Sequence, residues 1–329
     1  ALPDAGIAVR NVALREIRLM WRFVAKRFAD AVLTAFLVFT VVFFAMRLLP
    51  GDPVLAMLGD RASADTIQRV RHSLGLDQPI LAQYASFLWG LLHLDLGRSL
   101  INGVDVGTTM MRHLPYTIAL TVAATLIGIV VGVPLGVASA MRAGGGTDHT
   151  TRLVSLFGSA LPDFYVGLIL LTVFGLKLGW FPLLGGGDTP FDLRFLVLPA
   201  MTLGLLKGFG MMRLTRTAVL DVAGRDYVRT ARAFGMSERI VVWQHIYRNA
   251  LIPITTHLSL SIVATLGGTI AIELVFSRPG VGQLLVGAVT SRDYTLIQGG
   301  IVILSFLVVA VNFATDLLYA VIDPRVKGA

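Results

Sequence analysis

Six apolar stretches, each about twenty residues long, restrict this chain more severely than any other feature of it. They run over Phe28–Leu48, Tyr116–Ala140, Leu153–Leu178, Phe195–Met212, Leu251–Phe276 and Leu296–Ile322. A run of that length matches a hydrocarbon layer of about 30 Å, where no water is present to bond the backbone, so each must close its N–H and C=O groups within itself as a helix. The expectation is an all-α polytopic membrane protein with six transmembrane helices. A composition with 55% hydrophobic and 15% charged residues excludes a soluble globular domain.

The same composition narrows the chemistry. With no cysteine there is no disulfide framework, thiol nucleophile or thiolate metal site, and the six histidines form no ligand-spaced pair on one helix face. No catalytic or metal-binding residue is expected. No H-E-x-x-H occurs, and Ser and His do not recur in a catalytic pattern, which argues against an intramembrane enzyme. The net charge of +8 reads as basic decoration of cytoplasmic loops rather than a nucleic-acid surface.

Lys and Arg resist translocation and so orient the spans. Residues 1–27 hold six of them, the 141–152 loop two, the 213–248 segment seven and the C-terminal end two, whereas the alternate loops 50–113, 180–194 and 277–295 hold five, one and two. Both termini are then cytoplasmic in a bacterial-type inner membrane. Residues 1–27 form a basic segment with no cleavable signal pattern, either an amphipathic surface helix or a disordered tail. Residues 28–329 form the transmembrane domain, with a large external loop at 50–113 and a cytoplasmic region at 213–250.

Within the external loop, Ser63 caps a helix to Ser73 with Asp65 in its first turn, and a second helix covers Ile80–His93. Its face of Leu81, Tyr84, Phe87, Leu88, Leu91 and Leu92 suits a lid over the membrane helices or a dock for an external partner. Gly128, Gly132 and Gly136, with Pro134 among them, predict close helix packing and a kink. Most ionisable residues beside the spans, Asp30, Arg47, Asp163, Lys177 and Lys207, fall where snorkelling serves them. Glu273 and Asp316 lie deeper and are the candidates for a translocation pathway.

The stretch Asp226–Pro253, DYVRTARAFGMSERIVVWQHIYRNALIP, is the polar exception among apolar runs. Apolar residues at helical spacing over 222–234 stop at Gly235, which permits a left-handed backbone, and Ser237 with Glu238 starts another helix carrying Ile240, Trp243 and Tyr247 on one face. Two short helices bent at Gly235 present Ala231, Ala233, Phe234 and Met236. Such a knuckle enters a groove on a cytoplasmic partner, or it lies on lipid as an amphipathic hairpin.

Arg229–Gly235 with Arg248–Pro253 resembles the cytoplasmic coupling motif of permease subunits in binding-protein-dependent ABC importers of the dipeptide and oligopeptide branch. That motif begins Glu-Ala-Ala and places Gly four residues beyond the last Ala. Arg229, Thr230, Ala231 and Gly235 align with it; the Glu is absent, a departure that the peptide branch shares. LLPGDP (48–53), LGLDQPILAQYASFLWGLLHLDLGRS (74–99), FSRPGVG (276–282) and LLYAVIDPRV (317–326) resemble peptide-permease segments in the same order. The resemblance implies a non-catalytic subunit that pairs with a second related permease, two nucleotide-binding ATPase subunits and an external substrate-binding protein, and that passes a peptide-like substrate. It also implies that Arg229, Thr230, Ala231, Arg232, Ala233, Phe234, Gly235, Met236, Ser237 and Glu238 contact an ATPase. ATP and Mg belong to that partner, since the chain has no G-x-x-x-x-G-K-[ST] loop. The competing class is an ion-gradient-driven secondary transporter, which would show repeated halves and paired midplane carboxylates; neither is visible.

Overall fold

Small residues on two long helices set the centre of the fold. The computed structural model describes residues 5–48, 53–58 and 62–322. In it α5 (Val106–Met141) and α8 (Leu193–Ala223), following α1 (Ala5–Leu48), α2 (Pro53–Leu58), α3 (Ala64–Ser73), α4 (Ile80–Leu92), α6 (Gly146–Ala160) and α7 (Asp163–Leu170), make the most extensive packing contact. A Cβ on Gly132 would lie 2.5 Å from the Gly208 carbonyl oxygen, and one on Gly136 would lie 2.6 Å from that of Met212. No side chain fits between the backbones there. Close approach of this kind is how helices gain dispersion energy in lipid, where burial alone provides little drive. Pro134 sits inside α5, which continues past it to Met141.

Among the described residues five helices are long and apolar enough to cross a membrane: Met20–Leu48 within α1, Val106–Met141, Leu193–Ala223, Glu238–Val275 and Tyr294–Leu317. The expected third span, Leu153–Leu178, is not a single rod. It is split into α6 and α7, the latter continuing as a π-helix over Leu171–Lys177, and the two arms bend by 100°. The cause is local: Pro162 disfavours the helical region for the residue before it, and Leu161 is extended at φ −85°, ψ 135°. Apolarity marks the stretch as buried in lipid or protein but carries no information about its direction.

Outside the spans, Ser63 caps α3 as expected, its Oγ accepting from the Thr66 N–H at 3.3 Å. α4 packs on α1 through a hydrogen bond between Tyr84 and Thr40 hydroxyls at 2.6 Å, through Arg47 donating to Gln83 at 3.2 Å, and through Phe43 set against Tyr84 and Phe87. Leu81 and Leu92 remain exposed, so the apolar face of α4 is only partly used. The connection after residue 277 contains a helix that hydropathy did not reveal, α12 (Val281–Ser291), after α9 (Asp226–Ala233), α10 (Glu238–Ile240) and α11 (Arg248–Val275) and before α13 (Tyr294–Ile322). Asp293 ties this region to the external loop by accepting from the Ser99 hydroxyl and the Leu100 N–H. The matching segments 48–53 and 317–326 fall partly outside the described residues, as do Arg325, Lys327 and the start of the basic segment.

Candidate functional site

The polar stretch folds into a braced corner. α9 buries Val228 and Ala231 against Val241, Ile246, Ala250 and Ile254 of the following segment and against Ala218 and Val219 of α8. Its other face, with Tyr227, is open. α9 ends in a Schellman arrangement: the Gly235 N–H donates to the Arg232 carbonyl at 2.9 Å and the Met236 N–H to that of Ala231 at 3.3 Å. The second bond requires the left-handed backbone that Gly235 adopts at φ +76°. Across the corner Arg232 holds Glu238 by two hydrogen bonds of 3.1 and 2.7 Å, and this carboxylate raises the Arg232 guanidinium above its ordinary pKa. Arg229 reaches Asp226 at 3.6 Å, and Thr230 donates to the Asp226 carbonyl.

At the apex Phe234 is 83% exposed, with Met236 and Trp243 also open. A phenylalanine so exposed, on a corner whose opposite face is fully packed, is an unfilled knob. Two expectations about the corner need correction. The helix before the bend does not run unbroken from Val222, because α8 stops at Ala223 and the chain turns at Gly224 before α9 begins. The arm after the bend is not a short helix: Glu238–Ile240, a π-helix over Val241–Tyr247 and α11 form one 38-residue rod to Val275, with Pro253 inside it. Ser237 occupies the capping position in extended backbone, but its side chain makes no capping bond.

The two pathway candidates occupy unlike settings. Glu273 is fully buried; it accepts from the Thr117 hydroxyl at 2.6 Å and from the Gln283 N–H at 3.1 Å, so its oxygens are committed to holding α5, α11 and α12 together. Asp316 is 40% exposed and pairs with Arg27 at 3.5 Å, joining α13 to α1. Beside Glu273, the fully buried Arg278 of the FSRPGVG segment donates to the carbonyls of Pro190 and Phe195 and lies over the Tyr116 ring.

One polar cluster escaped the sequence reading. Asp148, at the start of α6, is 1% exposed and receives two hydrogen bonds from Arg216 of α8, with Ser139 and the Gly144 N–H completing its shell. The partners stand 68 residues apart, and no local pattern pairs them. Among the described residues no group of three or more His, Cys, Asp or Glu could hold a metal ion.

Comparison with known proteins decides what this framework is. Residues 132–328 match the family described as binding-protein-dependent transport system inner membrane component, and residues 20–121 match its N-terminal companion. The chain belongs to this family. Its relatives include a peptide transport system permease protein of Brucella melitensis, 39% identical over 94% of this chain and 99% of its own. The di/tripeptide transport system permease protein of Pseudomonas aeruginosa is 37% identical, and the glutathione transport system permease protein of Escherichia coli K12 is 35% identical, each covering 94% of this chain and 99% of its own. A chain of the MetNI methionine ABC transporter, in an inward-facing conformation, shares the fold at a TM-score of 0.57 and 18% identity, covering 65% of this chain and 96% of its own. As a binding-protein-dependent transport component, the family member described here is an ABC permease subunit, and the secondary-transporter class is not favoured.

Proposed function

We propose that this chain forms half of the translocation pathway of an ATP-driven importer for peptides and receives its mechanical drive at the Gly235 corner. The relatives named for peptide, di/tripeptide and glutathione transport support the cargo class. In this reading the bent α6–α7 pair counts as one crossing, which makes six, with both termini and the corner in the cytoplasm, as the distribution of Lys and Arg favours. A second related permease completes the pathway, two ATPase subunits bind ATP and Mg, and an external binding protein delivers the substrate. On the outer side a cavity of about 940 Å³, lined in part by Arg47, His72, Gln83 and Gln298, suits that delivery.

The single observation that carries the coupling role is the knob at Phe234 on a corner packed from behind. ATP-driven closure of the ATPase dimer pushes α9 and the apex. Because Val228 and Ala231 are packed against Val241, Ile246 and Ala250, the push is not absorbed at the bend. It passes into the rod from Glu238 to Val275, whose far end carries Glu273. The residues from Arg229 to Glu238 divide accordingly: Phe234 and Met236 contact the partner, Ala231 anchors, Gly235 sets the turn, and Arg232 with Glu238 braces it.

Co-purification tests the role. Phe234→Asp or Arg232→Glu should lose ATPase subunits from the detergent-solubilised complex while the chain still inserts and retains its partner permease. Full ATPase stoichiometry in both variants would refute the assignment.

A further inference from the structure

We propose that the Asp163–Lys207 ion pair faces the substrate path and receives the charged ends of a peptide, an inference that rests on the peptide-importer reading above. Lys207 sits 14 residues after Leu193 and 16 before Ala223 in α8, so it lies roughly 21 Å and 24 Å from the two helix ends. Its ammonium is 3.4 Å from a carboxylate oxygen of Asp163, the first residue of α7 at the 100° bend. Snorkelling carries an ammonium along its own helix toward an end; here the ammonium is turned to a carboxylate on another helix.

The pair is half finished. Asp148 and Arg216 show what a purely structural pair looks like in this fold: the carboxylate is 1% exposed and each oxygen is bonded more than once. Lys207 and Asp163 share one contact, and their side chains are 27% and 25% exposed. An ammonium offers three donors and a carboxylate about four acceptor sites, so most of their capacity faces outward. A charge turned toward lipid within a span is costly, and in the proposed reading the free capacity faces water instead.

The ground next to the pair is open. A Cβ on Gly210 of α8 or Gly267 of α11 would meet nothing within 4 Å, while one on Gly268 would lie 3.3 Å from the Asp163 carboxylate. A bare ion pair at the edge of such a space is matched by a ligand carrying both charges. A peptide with free termini brings an ammonium for Asp163 and a carboxylate for Lys207. The competing account, a tether that pins the α7 bend to α8, predicts no dependence on the substrate's ends.

Two measurements on the complete transport complex, purified through this chain and reconstituted in liposomes, separate these accounts. The first compares uptake of trialanine, N-acetyl-trialanine and trialanine amide, each as a ratio of variant to wild type. Lys207→Met should lower the ratio about tenfold for trialanine and the N-acetyl form but little for the amide, and Asp163→Asn about tenfold for trialanine and the amide but little for the N-acetyl form. Equal losses for all three peptides, or no loss, would overturn the proposal. The second uses the absence of native cysteine in this chain: Gly267→Cys supplies its single thiol. A charged, membrane-impermeant thiol reagent should modify that cysteine in the complex, and trialanine should slow the reaction. Modification solely by lipid-soluble reagents would place the pair against lipid and refute the proposal even if the charge variants fail to assemble. A wild-type complex that takes up none of the three peptides would remove the peptide reading instead, with the labelling still reporting the setting of the pair.

Discussion

Replacement of Gly235 by a graded series isolates the backbone from every other property of the corner. Gly235 has φ +76°, and a Cβ there would meet nothing within 4 Å, so steric crowding does not enter. What enters is the left-handed conformation, which costs an ordinary L-residue about 1–2 kcal/mol, Asn less, and a β-branched residue more. That energy opposes the two terminal hydrogen bonds at 2.9 and 3.3 Å that hold the apex in place. A penalty of 1–2 kcal/mol shifts the local equilibrium between ordered and frayed corner by roughly 5- to 30-fold. In reconstituted complexes, substrate uptake per phosphate released should therefore stay near wild type for Gly235→Asn, fall by up to about fivefold for Gly235→Ala and fall further, by up to about thirtyfold, for Gly235→Val. Membrane insertion should be unchanged, since Gly235 packs against nothing. Uptake and phosphate release measured in the same sample give the ratio directly. A wild-type ratio in the valine variant, or an asparagine variant as damaged as the valine one, would refute the reasoning.

Removing the Asp148 carboxylate as Asp148→Asn strands Arg216, and breaking a buried pair in this way costs about 3–5 kcal/mol; thermal unfolding in detergent should show the loss, and replacing both partners by apolar residues should recover most of it. Gly132→Val and Gly136→Val, each placing carbon within 2.6 Å of a backbone oxygen of α8, should yield chain that inserts but aggregates on size-exclusion chromatography, whereas Gly287→Ala, at a position with open space, should not. In the external loop, His72 and Asp77 share a hydrogen bond of 2.6 Å that raises the His72 pKa and lowers that of Asp77. Because the histidine's folded pKa is raised, its share of stability is complete below the unfolded value and fades as pH climbs through the raised one; the aspartate's share is complete above its unfolded value and fades as pH falls through the lowered one. A histidine NMR titration should place His72 above the usual imidazole midpoint of about 6.5 and return it there in Asp77→Asn.

Local and periodic features were legible in the sequence. Ser63 announced its cap because the acceptor lies three residues from its donor, and Gly235 announced the bend because few other residues tolerate that backbone. The apolar runs announced the spans for the same reason: each satisfies its backbone within itself. The direction change at Pro162 was written in the sequence but hidden under continuous hydropathy, since Leu161 and Pro162 are as apolar as a helix interior. α12 was too short to stand out as a span. The pairings Asp148–Arg216, Thr117–Glu273 and Ser99–Asp293 were not legible, since each joins helices or loops that meet only after folding. Glu273 was recognised as deep and charged, but whether its oxygens were free depended on Thr117, 156 residues away.

The continuous rod from the Gly235 corner to Val275 also fixes a phase along its α-helical part. Each residue in an α-helix advances about 100° around the axis, so the angular setting of Glu273 toward Thr117 is counted from the corner residue by residue. Deleting one residue from the α-helical stretch between Arg248 and Glu273 would turn the far end by about that angle and swing the carboxylate out of its bonded niche, although every local contact at the corner survived. The rod between the two ends is therefore indexed like a gear. Substitutions along it are tolerated according to their own packing, but its residue count is fixed by the register of Glu273 against Thr117.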